Sequence, residues 1–215
     1  MSSVGVESDR TVFIVDDDEA IRVSLSDLLE SVDMTTRVFA SAEDFLDKWN
    51  VNMNGCLLLD VRLPGMNGME MQARLSESGI TIPVIIMTAH GDVPMVRKAL
   101  KAGAVEFLIK PFRDEELLQA VEQALARDRA HRRADNLVNE IQARAGTLTE
   151  RERQVMALVT AGLTNKEIAD RLYLSVVTIK LHRGHMMRKM QAETLADLVK
   201  MWERINPPNE SVAVE

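Results

Sequence analysis

Cysteine is almost missing from this chain: Cys56 is the single one among 215 residues. That excludes an intramolecular disulfide and any zinc finger. No run of about 18 apolar residues exists, so a transmembrane helix is excluded as well. The opening stretch, Met1 to Arg10, is polar and acidic rather than basic and then apolar, so it lacks the form of a secretory signal. There is no glycine-rich phosphate loop and no catalytic-triad pattern. These absences lead to the expectation of a cytoplasmic protein with no membrane partner, and they give no footing for an enzyme.

What is present is an ordinary globular composition, 46% hydrophobic and 27% charged, over a length that suits one large domain or two ordinary ones. The formal net charge of −7 is unevenly spread. Residues 1–125 hold 11 Lys+Arg against 21 Asp+Glu, a balance of −10. Residues 126–215 hold 15 against 12, a balance of +3. Such asymmetry suggests two domains with different partners. The positive excess permits nucleic-acid binding without establishing it.

From Thr11 to about Arg127, short apolar runs alternate with longer amphipathic stretches. The runs are Val12–Val15, Cys56–Leu59, Val84–Met87 and Val105–Ile109, with a weaker one at Thr35–Phe39. Continuous runs of this length fit strands buried on both faces of a parallel sheet. Between them Ile21, Leu25, Leu28 and Leu29 recur at helical spacing, and Met69, Met71 and Leu75 do so more loosely. Val96, Leu100 and Ala104 suggest a fourth crossover, and Leu117, Leu118, Val121 and Leu125 a fifth helix. The fold expected is a doubly wound α/β domain with five parallel strands, whose site lies beyond the C-terminal strand ends. From Ala126 to Ala145 there is no proline and no glycine, which reads as a helical linker extending the fifth helix. Everything from Thr147 reads as short helices, and the tail after Asn206-Pro207-Pro208 as disordered.

The first strand ends in Asp16-Asp17-Asp18 and the third in Asp60. Thr88 ends the fourth, and Lys110-Pro111 follows the fifth. Clustered carboxylates repel unless a cation sits among them, and magnesium suits oxygen ligands while keeping sites for a phosphoryl oxygen. Asp60 then has the chemistry of a carboxylate nucleophile. Taken singly, Asp16–Asp18 fits an acidic helix N-terminus capped by Asp18 about as well. Asp60 likewise fits a turn residue before Leu63-Pro64-Gly65, and Lys110 a solvated lysine. Their joint placement at strand ends favours a site. His90 reads as a loop residue ahead of Pro94 with no nucleophile partner, and Cys56 as a small buried hydrophobe. The 13 methionines show no ligand spacing.

The strings Val15-Asp16-Asp17-Asp18, Leu59-Asp60-Val61-Arg62-Leu63-Pro64-Gly65, Met87-Thr88-Ala89-His90 and Ile109-Lys110-Pro111-Phe112 resemble the signatures of two-component response-regulator receivers, of flavodoxin/CheY-like fold, over residues 10–127. The resemblance implies that Asp60 accepts a phosphoryl group. It implies that Asp16, Asp17, Asp60 and the Arg62 carbonyl hold Mg2+, with Asp17 the more direct ligand of the first two. It makes Thr88 the switch hydroxyl, Lys110 the phosphoryl-contacting lysine, and the Lys110–Pro111 bond cis. Phe107 stands at the switch aromatic, and since phenylalanine donates no hydrogen bond, switching there rests on packing.

In the C-terminal part, Thr149 and Glu152 form a capping box, with Val155, Met156 and Val159 on one face of the helix. Thr164 or Asn165 caps a second helix carrying Ile168, Ala169 and Leu172. Ser175 caps a third, from Val176 to about Met190. A short turn between two helices is the helix-turn-helix arrangement. Lys180, His182, Arg183, Arg188 and Lys189 lie on the expected DNA-facing side. A small helical docking domain with a solvated basic face also fits this pattern. Thr149–Glu152, Gly162–Ala169 and Thr178–Arg183 resemble the LuxR-type four-helix DNA-binding domain. With the receiver, and with His90-Gly91-Asp92-Val93-Pro94, the chain resembles the FixJ/NarL family, nearer FixJ. Gly184 interrupts the third helix at about 1 kcal/mol relative to alanine, where some relatives carry lysine.

The resulting expectation is a receiver (10–127), a helical linker (128–146), a helix-turn-helix domain (147–206) and a tail (207–215). By the resemblance it is phosphorylated by a sensor histidine kinase and forms a homodimer. It then binds double-stranded promoter DNA, with RNA polymerase as a further partner, and its only chemistry beyond phosphoryl acceptance is slow autodephosphorylation. The alternative is a phosphorylation-independent regulator using its receiver only to dimerise.

Overall fold

The computed structural model describes residues 11–89, 91 and 93–207. Arg10, His90, Asp92 and the tail from Pro208 onward, all of which carried expectations, lie outside the described residues. The chain divides between Arg132 and Arg133 into two compact units.

The first unit runs β1 (Thr11–Val15), α1 (Glu19–Glu30), β2 (Thr35–Phe39), α2 (Ala42–Lys48), β3 (Cys56–Asp60), α3 (Gly68–Glu77), β4 (Val84–Thr88), α4 (Val93–Lys101), β5 (Glu106–Ile109), then enters α5 (Asp114–Gly146). All strand pairs are parallel, in the order β2-β1-β3-β4-β5. Because successive residues of a strand face opposite sides, each buried strand serves two cores. Phe13, Val15, Leu57, Leu59, Val84 and Ile86 pack with Ala42, Phe45, Met71 and Leu75 on one side. Val12, Ile14, Cys56, Leu58, Ile85 and Met87 pack with Leu25, Leu29, Leu117, Val121 and Leu125 on the other. β1, β3 and β4 are buried along their whole length. That is why their sequences are unbroken apolar runs, and why edge strand β2 reads more weakly.

The fourth crossover suggested by Val96, Leu100 and Ala104 is α4: its core residue is Ala99, Val96 is half-buried, Ala104 just past the helix is buried, and Leu100 remains 45% exposed. α3 begins hard against β3: a Cβ on Gly68 would lie 2.2 Å from the carbonyl oxygen of Asp60. The glycine therefore lets the helix start directly beside the strand end that carries Asp60.

The second unit comprises the last turns of α5 with α6 (Glu150–Thr160), α7 (Asn165–Leu172), α8 (Val176–Met190) and α9 (Leu195–Ile205). Ile141 of α5, expected in the linker, is buried in this unit's core with Val155, Met156, Ile168, Ile179, Met186 and Leu198. Three reciprocal capping boxes, Thr149/Glu152, Thr164/Glu167 and Thr194/Asp197, start α6, α7 and α9, each satisfying two otherwise unpaired N–H groups. Thr164, not Asn165, is the cap of α7, and Ser175 caps α8. Tyr173, left-handed at φ 56°, turns the chain between α7 and α8, and Leu174 N–H closes the turn onto the Ala169 carbonyl at 3.0 Å. Among the described residues no helix is long and apolar enough to cross a membrane.

Candidate functional site

The parallel register brings the ends of β1, β3, β4 and β5 to one edge. Val15 stands beside Leu59, Asp60 beside Met87, and Thr88 beside Ile109. The residue after β1 is therefore Asp16, the last of β3 is Asp60, and the residue after β5 is Lys110. The Lys110 ammonium donates to Asp16 Oδ2 and to Asp60 Oδ1, each at 2.6 Å. The two carboxylate side chains are only 2% and 9% exposed. The Lys110 backbone N–H donates to the Thr88 carbonyl at 2.7 Å, which fastens the lysine to the end of β4. Thr88 itself is buried, and the Lys110–Pro111 bond is cis.

The remaining lone pairs are also placed. Asp60 Oδ2 accepts from the Arg62 N–H, and Asp16 Oδ1 from the Asp18 N–H at 3.0 Å. Asp18 is the cap of α1, accepting from Ala20 N–H at 2.8 Å. The reading of this aspartate as a cap and the reading of its neighbours as a site are both satisfied. Asp17 is exposed and stands next to the gathered pair rather than in it. Phe107 is half-buried on β5 and packs against the core on the α3 side.

Burial pushes the Asp60 carboxyl above its ordinary value and the neighbouring Asp16 charge adds to that, against the pull of Lys110 and the Arg62 N–H. Burial pulls the Lys110 ammonium down, but its two carboxylates outweigh this and leave it raised. Such an edge has the donor chemistry of a magnesium site, with hard carboxylate oxygens, since Mg2+ is held by one or two carboxylates plus phosphate oxygens. It is not a closed cage: among the described residues no three His, Cys, Asp or Glu side chains converge on one point.

Two contacts at this edge escape the sequence. Glu43, at the start of α2, accepts from Met66 N–H at 3.0 Å and so ties down the loop that follows Asp60. Arg22 of α1 donates to the Asp16 carbonyl at 2.7 Å. The one sequence signal for Arg22 is that it is the lone cation between Thr11 and Thr36.

In the second unit α8 turns one stripe outward: Val177, Lys180, Leu181, Gly184 and Arg188 are exposed, with Val177 77% and Leu181 57% accessible. A Cβ on Gly184 would meet nothing within 4 Å, so packing inside the unit does not require glycine there. His182 and Arg183 are half-buried, and Arg183 donates to Asn165 Oδ1 at 3.1 Å. Lys189 is half-buried, and its ammonium bonds Glu152 Oε2 at 2.6 Å and the Thr147 carbonyl at 3.1 Å, so it forms a structural ion pair within the unit. Burial raises the Glu152 pKa, but Lys189 and the Thr149 N–H and hydroxyl overcome that and hold it down at about 2.

Comparisons with known proteins agree on both units. Residues 12–122 match the family of response regulator receiver domains, and residues 146–202 match the luxR family of bacterial regulatory proteins. Nodulation protein W of Bradyrhizobium diazoefficiens is 47% identical over 194 residues, covering 90% of this chain and 86% of that protein. The transcriptional regulatory protein FixJ of Rhizobium meliloti is 44% identical over 194 residues, covering 90% and 95%. The solved structure of the response regulator StyR is 43% identical with a TM-score of 0.82, covering 90% of this chain and 98% of that one. The chain belongs to the two-component response regulators that join a receiver domain to a LuxR-type helix-turn-helix domain, and it is a transcription regulator of that class.

Two outcomes follow from the charges. A raised folded-state pKa means that Asp60's stabilising share is full below the ordinary carboxylate value and is lost as pH rises through the folded one. At neutral pH the ionised group works against the fold, so Asp60→Asn resists urea better than wild type at pH 7. That advantage shrinks as pH falls through the raised value, and a less stable variant at pH 7 contradicts the assignment. Lys189→Met removes one of the donors that hold the Glu152 carboxylate and lowers the unfolding free energy by about 1 kcal/mol. Urea unfolding of the full chain, followed by helical circular dichroism, measures it, and no loss contradicts the structural role.

Proposed function

We propose that Asp60 is the phosphoacceptor of this regulator and that the Lys110 ammonium, shared between Asp16 and Asp60, couples its phosphorylation to a change of shape. The donor is a phosphohistidine of a sensor histidine kinase. An Asp60 oxygen attacks phosphorus, the P–N bond breaks with its electron pair going to the imidazole, and an acyl phosphate forms. Lys110, already bonded to Asp60, balances charge on the phosphoryl oxygens. Asp16, Asp17, Asp60 and the Arg62 carbonyl are the residues to hold Mg2+. When bound, the ion neutralises phosphoryl charge as a Lewis acid. Slow hydrolysis, in which water attacks phosphorus and the P–O bond to Asp60 breaks to release inorganic phosphate and the free carboxylate, is the only other chemistry assigned to the chain.

Conversion of Asp60 to its phosphate exchanges a single charge for a larger one with more acceptor oxygens. The Thr88 hydroxyl and Lys110 turn toward it, and Phe107 repacks. Exposed apolar residues on α4 and β5, namely Val93, Leu100 and Ile109, support a homodimer face built from α4, β5 and α5. An isologous dimer of this kind presents two copies of α8 about one DNA turn apart, suited to a palindromic promoter site in double-stranded DNA. Lys180, His182, Arg183 and Arg188 supply contacts to phosphates and guanine edges, and RNA polymerase is the partner through which bound DNA is read. The setting is the cytoplasm, where kinase and DNA are both within reach.

Operator binding and molecular mass, measured for wild type and Asp60→Asn with and without a phosphoryl donor, test the scheme. Only the wild type is expected to gain affinity and dimerise. Equal gains in both proteins would sink it and favour a receiver that dimerises without phosphate.

A further inference from the structure

The β1–α1 turn is pinned at nearly every polar group. Asp16 N–H donates to the Phe39 carbonyl at 3.3 Å. Its Oδ1 accepts from Asp18 N–H at 3.0 Å and its Oδ2 from Lys110 at 2.6 Å. Asp18 accepts from Ala20 N–H at 2.8 Å. The Asp16 carbonyl accepts from Arg22 Nη1 at 2.7 Å. Arg22 thus spends its guanidinium on a neutral main-chain oxygen, although carboxylates surround it in sequence. Among the described residues it has no ion pair with any of them. Between the pinned residues stands Asp17, exposed, its carboxylate without a hydrogen bond among the described residues.

We propose that Arg22 is a positioning residue for divalent-cation binding: by clamping the Asp16 carbonyl it fixes the turn that presents Asp17 beside Asp16 and Asp60. The inference rests on reading those three aspartates as the cation-holding set. Geometry and charge make opposite demands on this arginine. A guanidinium near a cation site repels the cation, so on charge alone its removal tightens binding. As a clamp, its removal frees the turn, scatters Asp17 over more conformations and weakens binding. Residues that orient ligands from behind typically change metal affinity by roughly 10–100-fold, which exceeds the repulsion of one partly solvated charge.

Isothermal titration of MgCl2 into the full chain reads the sign directly, for wild type, Arg22→Gln and Arg22→Lys. Thermal unfolding of each in EDTA checks the fold. Where the glutamine variant melts early, Arg22→Met, which keeps the aliphatic stem, replaces it. The clamp predicts binding about 10-fold weaker in the neutral variants. Lysine, which keeps a donor, should restore most of the affinity. Neutral variants that bind Mg2+ as tightly as wild type, or more tightly, overturn the clamp while leaving the cation site standing. A wild type that binds no Mg2+ overturns the cation site itself, and the clamp with it.

Discussion

Lys110 sits with its ammonium on two buried carboxylates that come from strands far apart in sequence, Asp16 after β1 and Asp60 at the end of β3. Burying three charges carries a large desolvation cost, recovered only when the geometry is close and the spare lone pairs are bonded. Here the Asp18 and Arg62 N–H groups take those lone pairs. The rest of the first unit serves to keep this arrangement in register. A slip of one residue in β1, β3 or β5 would turn a charge into the core, since side chains alternate faces. The continuous apolar runs of β1, β3 and β4 therefore do more than bury area: they confine charge on these strands to their ends. Gly68 lets α3 start beside Asp60, and Glu43 ties down the loop that follows it.

The second unit is organised by its helix starts. Each capping box sets where a helix begins, and so which residues face outward. The Thr149/Glu152 box carries a further load, because Glu152 also anchors Lys189 from α8. One buried carboxylate thereby fixes the start of α6 and the far end of the helix that presents the outward stripe. Lys180 and Arg188 stay exposed on the stripe while Lys189 is used within the unit. Gly184 lies in the middle of the exposed stripe with open space around it.

Much of this was legible in the sequence, and for definite reasons. Asp16, Asp60 and Lys110 could be grouped because each follows an apolar run long enough to be a buried strand, and parallel strands in such a fold end at the same edge. Thr149 could be read as a cap because Glu152, the second half of its box, lies three residues on, while Thr164 and Asn165 fit the cap of α7 equally until the structure gives it to Thr164. What escaped depends on contacts with no local pattern. Arg22 reaches back to a carbonyl six residues earlier, Glu43 to a loop 23 residues on, and Lys189 to a carboxylate 37 residues earlier. On α4 the apolar residues pointed to the crossover helix that is there, while Ala99, too small to stand out in the sequence, is its core residue. Ile141 falls in the span read as a helical linker for its lack of proline and glycine, yet it closes the second core.

If the shared ammonium is what converts phosphate into shape, the most direct test separates taking up phosphate from responding to it. Lys110→Met would be treated with a phosphoryl donor, phosphate uptake read by intact mass, and promoter-DNA affinity compared with phosphorylated wild type. The account predicts that the variant takes up phosphate yet gains little or no DNA affinity. A variant that is phosphorylated and gains as much affinity as wild type would contradict it.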